Sequence, residues 1–299
     1  MKKLSLFISG FFFSCMATAQ TPVTSVDTSW KKGGFITINF SQVSLNQWAQ
    51  GGENSIALAS AMNLFANYEK GKNTWNNTLD VAYAMLKSGS SPLRKNDDRI
   101  DFTSKYGRLI SGKWYYSALV NFKSQLARGY NYPNDSTVIS KFLAPGYITV
   151  ALGANYKPVD YFEVFISPAT GKYTIVNVQA LADAGAYGVE PATKNSNGIP
   201  QPGTGKNVRS EFGAYLNLKF KKEIMQNVVL STKLELFDNY TDKDKNNKTN
   251  VDVNWETGLS MKVNKIITAT VATQLIYDDN TVKRTQFKEV LGVGVGFKF

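Results

Sequence analysis

From just beyond Lys32 to Phe299 the chain alternates apolar and polar residues with a period of two. Ile56, Leu58, Met62, Leu64 and Tyr68 fall in one phase, with Ala57, Asn63, Asn67 and Glu69 in the other. Trp75, Leu79, Val81, Tyr83 and Met85 likewise oppose Thr74, Asn76, Thr78, Asp80 and Ala82. Successive side chains of a strand point to opposite faces, so each run reads as a strand apolar on one side and polar on the other. Runs such as Ile56 to Glu69 outlast the roughly five or six residues of a soluble strand. They suit the roughly 9–11 residues that a tilted strand needs to cross a bilayer. No apolar run after the N-terminus is long enough for a membrane helix.

The alternation places strands at 33–43, 54–69, 73–87, 98–110, 113–127, 145–156, 160–167, 208–220, 226–239, 250–263, 265–278 and 286–299. Every second gap is short: Lys70-Gly71-Lys72, Ser111-Gly112, Lys157-Pro158-Val159, Lys221 to Met225, and Asn264. The intervening gaps are longer, above all 128–144, 168–207 and 240–249. Short turns at one end and long loops at the other are the grammar of an antiparallel up-and-down β-barrel, with the turns periplasmic and the loops extracellular. A sandwich has no reason to sort its loops so. The expected fold is therefore all-β, a transmembrane barrel of about twelve strands over 33–299. Within the 168–207 loop, Val176 to Tyr187 suits a short helix, and the loop is long enough to plug the lumen or cover its mouth.

Charged residues are only 19% of the chain and aromatics reach 13%, as an apolar outer wall requires. The N-terminus carries Lys2 and Lys3, an apolar stretch from Leu4 to Met16, and Ala17-Thr18-Ala19. This is the plan of a cleaved export signal over 1–19, with Gln20 the first residue of the product and 20–32 a short periplasmic segment. Phe12-Phe13-Ser14 departs from the pattern of a lipidation site, so Cys15 reads as a passenger of the signal. Removing it leaves no disulfide, and stability then rests on strand pairing. The last strand, Leu291, Val293, Val295, Phe297 and Phe299, ends on an aromatic residue of the kind that barrel-insertion machinery reads, with Gly292, Gly294 and Gly296 turned to the lumen. Together these features predict residence in the outer membrane of a Gram-negative bacterium, among its lipid and lipopolysaccharide.

With the apolar phase toward lipid, the lumen receives charges of both signs, Glu163, Asp252, Glu256, Lys219, Lys262 and Lys288 among them. Asp80, Arg99, Asp101, Lys105, Lys123, Glu211, Lys233 and Glu235 are the candidate lumen and binding residues, and unpaired charge in a narrow lumen is costly, so they are expected to pair across it. The formal charge is +11. Arg94, Lys95, Lys194, Lys206, Arg209, Lys243, Lys245, Lys248, Lys283 and Arg284 read as loop and strand-end residues, free to meet lipopolysaccharide phosphates. An exported barrel is a poor partner for nucleic acid.

The chain has no histidine. Ser-His-Asp and Cys-His nucleophile systems are thereby removed, and so are the usual zinc sites. Thr241 to Lys248 lacks the glycine and terminal glutamate of a calcium loop, so no metal or cofactor is expected. Glu211 and Glu235 have nothing in their spacing to mark a glycosidase pair. No enzymatic activity is expected.

Trp48-Ala49-Gln50-Gly51-Gly52-Glu53-Asn54-Ser55 leads into a strand, a Lys-Gly-Lys turn and Trp75-Asn76-Asn77-Thr78-Leu79-Asp80. Arg94 to Arg99, Lys105-Tyr106-Gly107, Phe142-Leu143-Ala144-Pro145 and Ile166 to Lys172 follow. Together these resemble an uncharacterised family of Bacteroidota outer-membrane β-barrels, domain of unknown function 3078, across nearly all of the exported chain and most specifically through residue 176. The resemblance implies an outer-membrane barrel and brings no activity with it. Its first motif, with Trp48, Gly51, Gly52, Glu53 and Asn54, falls on the first outer loop. Each of these residues suits turn-making or interface anchoring, and also contact with a ligand. The expected function is a non-enzymatic barrel, either a narrow or gated channel for a small polar solute or a membrane scaffold. The alternative is a binding or assembly partner of another envelope protein, or of lipopolysaccharide, through loops 44–53 and 168–207.

Overall fold

The computed structural model describes residues 29–46, 52–242 and 251–299. The export signal, Trp48, Gly51 and the lysines at 243, 245 and 248 lie outside these. Twelve strands close into one antiparallel barrel. In chain order these are β1 (Trp30–Val43), β2 (Ser55–Lys70), β3 (Asn73–Ser88), β4 (Arg94–Ser111) and β5 (Trp114–Ser124). After β6 (Gly129–Tyr130) and β7 (Val138–Ser140), a small hairpin outside the barrel, come β8 (Gly146–Val159), β9 (Phe162–Ile175), β10 (Val208–Met225) and β11 (Val228–Asn239). β12 (Val251–Lys262), β13 (Ile267–Asp278) and β14 (Val282–Lys298) complete the circuit, and β14 returns to β1. Each neighbouring pair shares backbone hydrogen bonds, and closure leaves a barrel as one of the two architectures able to cross lipid. Among the described residues no helix is long and apolar enough to cross a membrane.

The turns at one end are tight. Residues 71–72, 112–113, 160–161 and 226–227 join strands directly, with Gly71, Gly112 and Asn227 in the left-handed conformation that such reversals require. Several expected boundaries move. The first strand starts at Trp30, taking in part of the segment assigned to 20–32. The seventh barrel strand runs to Ile175 instead of stopping at 167, so the long loop is 176–207. Pro168 is the reason: the ladder slips between Leu152 and Ala154 on β8 and between Gly213 and Tyr215 on β10, and Pro168 sits in that bulge, where its missing N–H costs no bond. The last outer connection, 279–281, is as tight as the turns at the other end, against the expectation of uniformly longer outer loops.

Outward-facing Leu58, Val150, Leu152, Leu291 and Val293 are exposed, as befits a wall solvated by lipid. At the turn end Trp30 packs on Tyr68 and Trp75, Trp114 on Tyr156, and Tyr161 on Phe220. At the loop end Phe122 meets Phe142 and Phe212 meets Tyr240. Two aromatic belts separated by apolar wall mark the two interfaces of a membrane barrel.

Charge is distributed unevenly. Among the described residues around the turn end, Lys32, Lys70, Lys72, Arg108, Lys113 and Lys222 outnumber Glu69, Asp160 and Glu223, and Lys31, Lys219, Lys262 and Lys298 stand on the inward phase at the mouth itself. Near the loop end, three described cations meet carboxylates within the wall: Lys95 with Asp98, Lys288 with Asp97, and Arg209 with Glu211. Lys95 and Arg209, expected as free surface charges, are thus largely enclosed. Burial inside the strand-and-loop junction makes pairing obligatory for both.

Candidate functional site

All eight charged residues selected from the alternation face the lumen, and the structure joins seven of them in ion pairs. Arg99 on β4 donates from Nη1 to Glu256 Oε2 on β12, 2.9 Å away. Those two strands stand on opposite sides of the barrel, so the pair bars the lumen across its full width. Beside it, Lys233 on β11 lies 3.3 Å from Asp101 Oδ2 and 3.4 Å from Glu235 Oε1. Lys123 on β5 also donates to Glu235, and sits 3.9 Å from Asp101. Neutral donors complete the knot: Tyr215 Oη donates to Glu235 Oε1 at 2.6 Å, Asn254 Nδ2 to Glu235 Oε2 at 2.8 Å, and Asn121 Nδ2 to Asp101 Oδ1 at 2.5 Å. Closer to the turn end, Lys105 donates to Glu163 at 2.5 Å and to Asn155 Oδ1 at 2.8 Å. Asp80 is the eighth. It stands directly opposite Asp101 on the neighbouring strand and accepts from Asn63 at 2.6 Å. Like charges in that register repel, which Arg99 and Lys233 beside them offset.

Toward the loop end lies a second tier, of which the alternation placed Glu211, Asp252 and Lys288 in the lumen but not Lys172, Arg209 or Asp278. Lys172 on β9 donates to Asp252 on β12, with Glu211 3.9 Å away. Arg209 lies 3.1 Å from Glu211 and 3.6 Å from Asp278. Lys172 escaped notice because the Pro168 bulge breaks the period of two just before it. Lys288 crosses from β14 to Asp97 at 2.5 Å.

Between the tiers is a cavity of about 410 Å³, walled by Arg99, Lys123, Lys172, Glu235, Asp252 and Lys288. Tyr187 from the long loop roofs it. A second cavity of about 330 Å³ opens outside it beside Tyr130 and Tyr132, and Asp97, Asp98, Gln125 and Lys288 belong to both. The lumen wall is lopsided. On β5 through β11 the inward face also holds Leu119, Ala151, Phe165, Tyr215 and Phe237, packed as a buried apolar shelf. The inward phase is thus not wholly polar as expected: Lys105 and Lys172 lie over the rings of Phe165 and Phe237. On the other half, small inward residues such as Ala61 and Ala272 remain exposed, so the lumen there is unfilled.

The roof is built from two loops. Ala144, Val176, Ala182 and Val189 form a buried cluster around α1 (Gln179–Asp183), inside the stretch expected to be helical. Tyr187 Oη donates to the Ile139 carbonyl at 2.7 Å, and Asn177 N–H to the Leu143 carbonyl at 2.7 Å. Asp183 accepts from the Gly203 and Gly205 N–H groups, both at 2.8 Å. These bonds, first that of Gly203, hold its carboxyl below the ordinary carboxylate value. Of the first outer-loop motif, Gly52 has φ +109, Glu53 accepts from Ser88 Oγ at 3.0 Å, and Asn54 Oδ1 accepts from Leu45 N–H at 2.6 Å. These described members tie the loop to its neighbour.

Residues 40–130 match the family model described as "Protein of unknown function (DUF3078)". The motifs quoted from 142 onward lie beyond that match. No curated protein matches the chain. Among solved structures, the translocator domain of the autotransporter NalP from Neisseria meningitidis is 13% identical, with 91% of this chain and 89% of that one covered and a TM-score of 0.37. The NanC porin is 7% identical over 88% of this chain and 98% of that one, with a TM-score of 0.39. An outer-membrane channel from Pseudomonas putida F1 is 9% identical over 89% and 94%, with a TM-score of 0.38.

Proposed function

We propose that this outer-membrane barrel, matched over residues 40–130 by a family of unknown function, is a narrow, non-enzymatic channel for a small polar solute. One observation carries the reading: a cavity of about 410 Å³ inside the lumen, closed on the turn side by the Arg99–Glu256 bar and continued there by exposed small residues. A scaffold gains nothing from keeping half its lumen empty. The bar is a weak seal, for Arg99 and Glu256 side chains retain 37% and 21% of their exposure and water already reaches both.

A hydrolytic reading finds no support in the carboxylates. Glu235 pairs in register with Asn217, so Glu211 lies six positions farther along β10, roughly 20 Å at the rise of a strand. Paired glycosidase carboxylates stand within about 10 Å. Each is also engaged by cations, Glu211 by Arg209 and Glu235 by Lys123.

Single-channel recording from the refolded protein in a planar bilayer tests the channel. The wild type is expected to conduct in small steps, and Arg99→Ala with Glu256→Gln to conduct in larger ones. Silence of both proteins would refute the reading and turn attention to the loops as a binding surface for another envelope component.

A further inference from the structure

The barrel wall is sealed less completely at one place than anywhere else. β1 pairs with β2 over its whole length, Trp30–Val43, but with β14 only over Phe35–Asn39, opposite Gly294–Lys298. Two further bonds between Gly34 and Phe299 extend this seam toward the turn end, at 2.9 and 3.1 Å. Toward the loop end no ladder joins the described residues of the two strands. Continuing the register would set Phe40 against Val293 and Val43 against Val290, and neither pair forms. From Phe40 to Val43 and from Lys283 to Leu291 every residue is exposed, whichever way its side chain points. In a sealed wall only the outward phase would be.

Among the described residues nothing bridges these two backbone edges, which face each other in the half of the wall next to the outer leaflet. Hydrocarbon cannot satisfy their N–H and C=O groups, so the slot must hold water or a polar group. Gln286 and Lys288, on the inward phase of β14, line the inner cavity and stand on this edge. Phe40, Phe287 and Leu291, 57%, 65% and 72% exposed, flank the slot on its lipid side. The slot is thus polar within and apolar without.

We propose that it is a lateral opening between the lumen and the outer leaflet, and that the solute is an amphiphile. Its polar head rests in the cavity among Gln286, Lys288, Asp97 and Arg99 and reaches the free edges of β1 and β14, while its apolar chain leaves past Phe40, Phe287 and Leu291 into lipid. This rests on the reading of the cavity as a solute site. A wholly polar solute would draw nothing from a gap toward lipid, whereas an amphiphile needs one, since enclosing its chain in a charged lumen would strand apolar surface in water.

Quenching by brominated lipid tests the opening without knowledge of the solute. In a Cys15→Ser background, one fluorophore is placed on Gln286→Cys or on Thr149→Cys, which lines the same cavity from the sealed wall of β8. In vesicles of dibrominated phosphatidylcholine, quenching at 286 is expected to exceed that at 149 severalfold. A disulfide between Phe40→Cys and Val293→Cys, formed before labelling, should abolish the excess and leave ion conductance in place. Equal quenching at the two sites overturns the opening, and needs only the single-cysteine proteins. An excess at 286 in a protein that does not conduct sinks the channel and leaves the opening standing. Disulfide linkage of two copies through Phe40→Cys alone would also overturn it, and would assign the free edges to a dimer.

Discussion

Lys105 shows what a single residue of this lumen must satisfy. Its ammonium is enclosed among Glu163, Asn155 and the face of Phe165. Lys105→Met would leave the Glu163 carboxylate enclosed without its cation, a loss of roughly 3–5 kcal/mol. Lys105→Met with Glu163→Leu removes both charges and should restore most of that loss, as measured by urea unfolding in detergent micelles. A double variant no more stable than the single one would show that the pair is not the unit of stability. That Lys105 and Glu163 face inward was legible from the alternation. Their partnership was not, because a period of two gives the face of a strand and neither its height in the barrel nor its place around the circumference. The same holds for Arg99 and Glu256, which stand far apart in sequence and meet only because the sheet closes.

At the scale of elements, all twelve strands were legible, and the errors fall where a local device interrupts the period. Pro168 reads as a strand terminator in isolation, yet β9 carries it in a bulge and continues to Ile175. Lys172 was hidden by that one residue. The roof over the cavity depends on a different device, the Asp183 carboxylate that gathers the Gly203 and Gly205 amides. A carboxyl held below its ordinary value contributes order at neutral pH, and that contribution disappears as pH falls through its lowered value. The loop at 176–207 should therefore resist protease at neutral pH and become sensitive only in acid beyond the ordinary carboxylate range. Asp183→Ala should be sensitive at every pH, and equal resistance of the two proteins would remove Asp183 as the anchor.

For the whole molecule, the sorting of short turns from long loops already implied an even-stranded, closed tube, since nothing else arranges connections by end. The incomplete β1–β14 seam was not legible. Its flanking residues keep the alternation of a paired strand, and only register reveals where pairing stops. The distribution of charge was legible only in part: Lys194, Lys206, Lys283 and Arg284 are exposed as expected, but Lys95 and Arg209 are enclosed, and the lysines gathered at the turn end show only once the strands are set side by side. The consequence is electrical. A tube whose turn-end mouth is ringed by lysines concentrates anions at that mouth. Current carried through it should be larger at one polarity than at the other, with chloride favoured over potassium, and the asymmetry should fade in concentrated salt as the lysines are screened. The orientation of the protein in a bilayer would then be readable from the sign of its rectification, and neutralising Lys219, Lys262 and Lys298 should make the current–voltage curve straight.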